Sequence, residues 1–386
     1  MKIVIAPNAL KGSLSAYEAA DALAAGSRQA LPQAELVLLP VADGGDGLVR
    51  VLGNALQATP QSCSVSGPLG QPLAATWLYS RENRTAIIEM AAAAGLALLD
   101  PATLAPMTAN TRGVGELILA ALKEGAQRIL LGIGGSATSD GGMGMAQALG
   151  VVFRDTQGNT LDAGGARLIE IAGIDTTHLD TRLREVQTQV ICDVDNPLLG
   201  AQGAATVFAP QKGADAAQVA QLEAGLAHFA DLLNSSLGKD VHHIPGAGAA
   251  GGLGAGAIAF LDAELQPGGE LVLDLLNFDE ALRDADLVIT AEGRLDGQTA
   301  FGKAPAAVAR RARTAGIPCI AIAGSLGEGA DALDRVGITA AYTLCRGPVS
   351  LEDAMVNAAR HLQKTATQVI RTFCAGRETG ILKARN

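Results

Sequence analysis

Gly132-Ile133-Gly134-Gly135-Ser136-Ala137-Thr138-Ser139-Asp140-Gly141-Gly142-Met143-Gly144-Met145 is the stretch on which the reading of this chain turns. It follows a short apolar run, Arg128-Ile129-Leu130-Leu131, that reads as a buried strand, and it precedes Met145 to Leu149, which reads as the first turns of a helix. A strand that ends in glycines and opens a helix presents backbone N–H groups at the positive end of the helix dipole, which suits phosphate. Gly134 and Gly135 allow close approach, Ser136, Thr138 and Ser139 supply hydroxyls, and Asp140 supplies a carboxylate that fits a metal ion. Two other readings stand beside this one. Asp140 is also a good N-cap, with the glycines making a tight turn. Gly132-x-Gly134-x-x-Ala137, with Asp155 after the next apolar run, also matches the spacing of a dinucleotide fingerprint.

The chain has 386 residues, 48% of them hydrophobic and 18% charged, which is enough for two sizeable cores and too much for one ordinary domain. Its 47 glycines follow no fixed period and cluster at strand ends, so neither a collagen nor a linker composition applies. A net charge of −10 and only 3% aromatic residues argue against a nucleic-acid partner. The five cysteines are scattered without a C-x-x-C pair and read as reduced thiols of a cytoplasmic protein. The charge-free run Pro245 to Leu261 is rich in Gly and Ala and reads as a buried loop and helix, not a membrane span. The histidines, at 178, 228, 242, 243 and 361, do not combine with cysteine at metal-ligand spacing, which disfavours structural zinc and a Ser-His-Asp relay.

Strand and helix signals alternate at both ends of the chain. Ile3 to Ala6 reads as a strand, Ser15-Ala16-Tyr17-Glu18 as a capping box opening a helix to about Ala30, Glu35 to Val41 as a strand, and Leu48 to Leu56 as a helix. The alternation returns from Asp286, with strands at Asp286 to Thr290, Cys319 to Ala323 and Ala341 to Leu344, and one long final helix capped at Ser350. Around Ser62 the texture changes to short alternating segments, Ser62 to Pro68, Ala75 to Ser80 and Thr85 to Met90, which predict antiparallel or mixed pairing. Residues 1–61 and 286–386 are therefore expected to form one discontinuous α/β domain with a parallel sheet. Residues 62–285 are expected to form an inserted α/β domain with a mixed sheet.

Further glycine-rich turns carry chemistry. Lys11-Gly12-Ser13 lies in the first βα loop and Asp43 and Asp46 in the second, where ligands of open α/β sheets gather. Glu292-Gly293-Arg294 and Asp296 precede Gly297 to Lys303, a partial P-loop with Ala304 where Ser or Thr would hold magnesium. Cys192-Asp193-Val194-Asp195-Asn196-Pro197 puts carboxylates at a strand end, fit to accept a hydroxyl proton or bind Mg²⁺, although Asp-Asn-Pro is also a good turn. Phe208 to Ala214 adds Lys212, and Pro245 to Gly252 offers backbone to an anion. Several such turns without histidine-based chemistry fit phosphoryl transfer, which relies on positioned charge and anion cradles.

Pro7-Asn8-Ala9-Leu10-Lys11-Gly12-Ser13, Ala42 to Gly47, Gly132 to Gly144, Cys192 to Leu198, Phe208 to Ala214, Pro245 to Gly254 and Glu292 to Pro305 together resemble the bacterial type-1 glycerate kinase family, in order and nearly end to end. The resemblance implies ATP-dependent phosphorylation of D-glycerate, usually at the 2-hydroxyl, and two α/β domains, one Rossmann-like and built from both chain ends. Two positions depart from the family pattern: Asn8 stands where many members carry Asp, and Ala291 replaces a common Gly. Because Asn8 does not ionise, the proton acceptor is assigned to Asp193.

On this reading Gly134, Gly135, Ser136, Thr138 and Lys303 hold ATP, and Asp140, Asp193 and Glu292 are the carboxylates for Mg²⁺. Lys11 and Arg294 neutralise the glycerate carboxylate and the moving phosphoryl group, and Asn8 and Asp43 complete the substrate site. The partner is the small acid, with no nucleic acid and no membrane expected and a homo-oligomer left open. The alternatives are an NAD(P)-dependent reductase of a small hydroxy acid and a non-catalytic two-domain binding protein.

Overall fold

Ile3, Val4 and Ile5 alternate across the Lys2–Ile5 strand and are all fully buried, because this strand lies inside a parallel sheet covered on both faces. The computed structural model describes residues 1–43, 47–300, 303–345 and 347–378. It divides into two compact units, Met1–Val51 with Gly268–Asn386, and Leu52–Pro267. Gly44, Gly45 and Asp46 of the second βα turn, and Phe301 and Gly302 of the partial P-loop, lie outside the described residues.

The first unit is built on five parallel strands in the order Ile338–Thr343, Cys319–Leu326, Leu287–Leu295, Lys2–Ile5, Glu35–Leu38. Numbered by appearance and read from the Glu35–Leu38 edge, the order is 2-1-3-4-5, a doubly wound sheet whose direction of winding reverses between Lys2–Ile5 and Leu287–Leu295. Ile3, Ile5, Leu287 and Ile289 share a core with the Ala16–Ala30 and Ala358–Glu378 helices through Leu23, Leu362 and Ile370. Those two helices approach backbone to backbone at Gly26, where an added Cβ would stand 2.3 Å from the Gln363 carbonyl oxygen. The predicted capping box is present, with Ser15 accepting from the Glu18 amide and Glu18 accepting from Ser15. The single final helix predicted from Ser350 is instead two, Leu351–Val356 and Ala358–Glu378. Asn357 leaves helical geometry at φ −100° and donates its side-chain amide to Asp353, a local bond that competes with the helix.

The second unit carries a six-stranded mixed sheet. Glu264–Gln266, Gln187–Ile191, Arg128–Gly132 and Thr85–Glu89 run parallel, and the Pro72–Ser80 and Thr59–Ser66 hairpin continues the sheet antiparallel. Gly132, Ile191 and Gln266 stand side by side in register, so the segments that follow the first two leave the sheet together. One core gathers Trp77, Ile88, Ile129, Leu131 and Val190 with the Arg112–Lys123 helix. A second core centres on Phe153, Phe229 and Phe260, whose ring centroids lie 5.9–6.4 Å apart.

Candidate active site

In the first unit the chain leaves Lys2–Ile5 still locked to its neighbours, since the Asn8 amide donates to the Ala291 carbonyl and the Val41 amide to the Pro7 carbonyl. This places Asn8, Asp43 and Glu292 on adjacent segments just past the strand-order reversal, where open α/β sheets bind ligands. Asn8 is buried, and its Nδ2 donates to Asp43 Oδ2 at 3.1 Å while its Oδ1 accepts from the Ala9 amide. Glu292 is only 9% exposed, and its Oε2 has no hydrogen-bond partner among the described residues. Burial lifts the Glu292 carboxyl to about 7; Lys303 pulls it down, and Asp43 and Asp296 push it up. Lys303 caps the Ala304–Thr314 helix, and Arg294 lies exposed with Nε 3.2 Å from Asp296 Oδ2. Lys11 is exposed beside a pocket of about 260 Å³ bounded by Gly12, Ser13, Ser15, Tyr17 and Arg50. The Arg50 guanidinium covers the Tyr17 ring at 4.7 Å, and sequence reasoning passed over it because a helical arginine carries no local motif.

In the second unit the Gly132 to Met145 stretch does two different jobs. Gly134 and Gly135 are exposed where the strand ends, Gly135 in the left-handed region at φ +72°, and Ser136 is 8% exposed. Thr138, Ser139 and Asp140 are fully buried beneath them. Asp140 Oδ2 accepts from the Thr111 amide and hydroxyl and from the Gly144 amide, and its Oδ1 accepts from the Gly142 amide. Burial pushes its carboxyl up and these donors pull it down. The carboxylate therefore brackets the start of the Met143–Ala148 helix from two residues before its N-cap, which is Gly142 and not Asp140. A metal ion at Asp140 would have to displace those donors.

Asp193 follows the Gln187–Ile191 strand and is half-buried, and that strand pairs with Arg128–Gly132, which leads into Gly134 and Gly135. Lys212 is fully buried, and its Nζ donates to the Thr138 carbonyl at 2.5 Å. Its place in the core is invisible in sequence, where Pro-Gln-Lys-Gly reads as a surface turn. Together the structure groups Asn8, Asp43, Glu292, Lys303, Lys11 and Arg294 in one unit, and Gly134, Gly135, Ser136, Thr138, Asp140 and Asp193 in the other.

Two sequence expectations give way. The glycines of Pro245 to Gly256 are spent on backbone packing and not on an open anion cradle. Added Cβ atoms would stand 2.1 Å from the Pro197 oxygen at Gly248, 2.0 Å from the Thr138 oxygen at Gly251 and 2.4 Å from the Gly141 oxygen at Gly256. The dinucleotide spacing also fails. Val152–Arg154 pairs antiparallel with Gly173–Asp175 outside the main sheet, and the Asp155 carboxylate accepts from the Gln157 and Asn159 amides of its own turn. Among the described residues no helix is long and apolar enough to cross a membrane, and no three His, Cys, Asp or Glu side chains converge as a metal cage.

Known proteins resemble this chain along its whole length. A model of the glycerate kinase family matches residues 3–374. A glycerate kinase of Halalkalibacterium halodurans is 49% identical over 367 residues, which is 95% of this chain and 97% of the relative. A glycerate 2-kinase of Escherichia coli K12 is 44% identical over 376 residues, 97% of this chain and 99% of the relative. A crystal structure described as a candidate glycerate kinase 2 from Salmonella typhimurium LT2 aligns with a TM-score of 0.87 at 45% identity, over 98% of this chain and 99% of that one.

Proposed function

The chain belongs to the glycerate kinase family, and on that premise we propose that it transfers the γ-phosphoryl group of ATP to the 2-hydroxyl of D-glycerate, forming 2-phosphoglycerate and ADP. The observation that carries this reading is the likeness, end to end, to proteins named glycerate kinase and glycerate 2-kinase. The reductase alternative finds no support among these relatives, and its Asp155 is spent in a local turn.

The roles follow from chemistry. Exposed Gly134 and Gly135 offer backbone, and the adjoining buried Ser136 a hydroxyl, to phosphate oxygens, and Thr138 supports them. Lys11 and Arg294, both exposed cations, neutralise the glycerate carboxylate and the phosphoryl oxygens, and Lys303 adds a third positive charge. Asn8 and Asp43, joined by their hydrogen bond, orient the glycerate hydroxyls. Asp193 accepts the proton of the 2-hydroxyl as its oxygen bonds to phosphorus and the bond from phosphorus to the ADP oxygen breaks.

The residues also suit a magnesium ion. Glu292 keeps an unpartnered carboxylate oxygen beside the negative charges of Asp43 and Asp296, a hard-oxygen environment with excess negative charge. When bound, Mg²⁺ neutralises charge on the nucleotide phosphates. Mg²⁺ commonly takes only one or two protein carboxylates and completes its shell with phosphate oxygens and water, so Glu292 is sufficient as an anchor.

The test is ADP release on mixing the protein with Mg·ATP and D-glycerate, against L-glycerate and acid-free controls, followed by phosphorus NMR of the product. Turnover giving 2-phosphoglycerate is expected. Turnover giving 3-phosphoglycerate would keep the reaction class and move the acceptor hydroxyl; folded protein without acid-dependent ADP release would remove the proposal.

A further inference from the structure

Lys212 is a fully buried cation of the second unit, and nothing in the roles above uses it. It ends the short Pro210–Lys212 turn, closed by Gly213 in the left-handed region at φ +94°, where an added Cβ would stand 2.9 Å from Leu104. That closure points the lysine inward. Among the described residues its ammonium has one hydrogen-bond acceptor, the Thr138 carbonyl at 2.5 Å, and Asp140 supplies the opposing negative charge. Burial draws the ammonium down to about 7, and Asp140 raises it.

The same peptide is held from its other side. Gly251, at φ +67°, lies so close to Thr138 that a Cβ there would stand 2.0 Å from the same carbonyl oxygen, and the Gly141 amide donates to the Gly251 carbonyl. The Thr138 and Ser139 hydroxyls, both fully buried, have no hydrogen-bond partner among the described residues. Such a layer is an expensive way to fill space, since a methionine would fill the place of Lys212 without burying a charge. What the layer does accomplish is to fix the Thr138 peptide, and with it the end of the path that Gly134 to Ser136 follow into it.

We propose that Lys212 is a positioning residue for phosphoryl transfer: clamped on the Thr138 carbonyl beneath the turn, it sets the backbone of Gly134 to Ser136 in the shape that receives the nucleotide phosphates. The proposal rests on the kinase reading. It assigns the Phe208 to Ala214 segment a function at the nucleotide end of the reaction, distinct from binding of the acid. Lys212 touches neither substrate, so its effect is on geometry. Loss of the ammonium frees the turn and weakens the nucleotide's hold and the alignment of its γ-phosphate, while the acid-binding groups of the first unit are untouched.

The experiment compares the parent with Lys212→Met, of similar length without charge, and Lys212→Arg, which keeps the charge. Expected for Lys212→Met are a fall in kcat of at least tenfold and a several-fold rise in KM for ATP, a KM for D-glycerate within twofold of the parent, and a retained cooperative melt. Lys212→Arg is expected to recover part of the kcat. Parent-like kcat and KM values in Lys212→Met would overturn the proposal. So would a parallel rise of both KM values with a lowered melting temperature, which is the signature of general loosening.

If Lys212→Met does not fold, amide hydrogen exchange of the parent decides. ADP is expected to protect segments 134–144 and 208–214 together, and protection confined to 134–144 overturns the proposal. An active parent with an unaltered variant removes this inference alone; a parent that neither binds nor releases ADP removes the kinase reading as well.

Discussion

Asn8 Nδ2 donates a hydrogen bond to Asp43 Oδ2 at 3.1 Å, so an uncharged side chain ties the first βα turn to the second. Replacing the amide by a carboxylate, Asn8→Asp, sets two acids face to face, and one of them must stay protonated or be bridged by a cation. The variant is expected to lose roughly 1–3 kcal/mol of stability at pH 8 without divalent metal. The loss should shrink as the pH falls through the carboxylate range, and Mg²⁺ should restore part of it. Melting curves at pH 5 and 8, with and without Mg²⁺, check this. An equal loss under all four conditions would mean that shape, and not charge, matters at position 8.

Glu292 gives the parent a pH dependence of definite sign. Its folded carboxyl sits at about 7 against 4.5 for an ordinary glutamate, so the folded state holds its proton more tightly than the unfolded chain does. Its contribution is fully present below pH 4.5 and is lost as the pH rises to about 7. Glu292→Gln, which cannot ionise, should be the more stable protein at pH 8, by at most about 3 kcal/mol, and no more stable than the parent at pH 4.5. Magnesium should stabilise the parent and not the variant. Coincident pH profiles of the two melting temperatures would show that Glu292 ionises without penalty.

Asp140 and Asp193 separate structure from chemistry. Asp140→Asn turns one oxygen of a fully buried acceptor into a donor facing donors, and about 2–5 kcal/mol of stability should go with it. Asp193→Asn should melt like the parent and lose kcat by about 10²–10⁴-fold, with ADP affinity little changed. The pair is checked by calorimetry and steady-state kinetics side by side. A stable Asp140→Asn protein that requires far more Mg²⁺ would return that residue to a metal role, and parent-like turnover in Asp193→Asn would take the proton from another group.

Ser136 and Thr138 differ only in depth. Ser136→Ala is expected to raise the KM for ATP several-fold, since its hydroxyl adjoins the exposed Gly134 and Gly135 in the chain. Thr138→Val removes a buried hydroxyl without a partner and keeps the side-chain shape, so the protein should be unchanged or more stable by about 1 kcal/mol, with KM within twofold. A large KM effect at Thr138 would mean that the turn opens to admit the nucleotide.

Much of this molecule is legible in its sequence because local patterns and global fold agree. The Ser15 to Glu18 capping box, the apolar run before Gly132, and the switch to alternating segments after Ser62 each announce an element that is present. The turns carrying Asn8, Lys11 and Asp193 follow strands as expected, because glycine and polar clusters end strands for local steric reasons. Glu292 instead lies within the Leu287–Leu295 strand, which runs past its expected end at Thr290 because Glu292 and Arg294 stay in register with Ala323 and Ser325. Asn357 was less legible: a side-chain bond to Asp353 outbids one helical turn, and helix propensity does not foresee it.

The sequence by itself determined the alternation of elements, the two kinds of sheet and the family, since periodicity, capping and ordered motifs are properties of neighbouring residues. Tertiary structure alone decided what each polar residue does. Asp140 accepts from the amides around the start of its helix, the glycines of Pro245 to Gly256 became packing surfaces, and burial shifts the Glu292 and Lys212 side chains away from their ordinary pKa values, because burial, strand order and non-local contact set those outcomes. Depth below the surface is not written in any local motif.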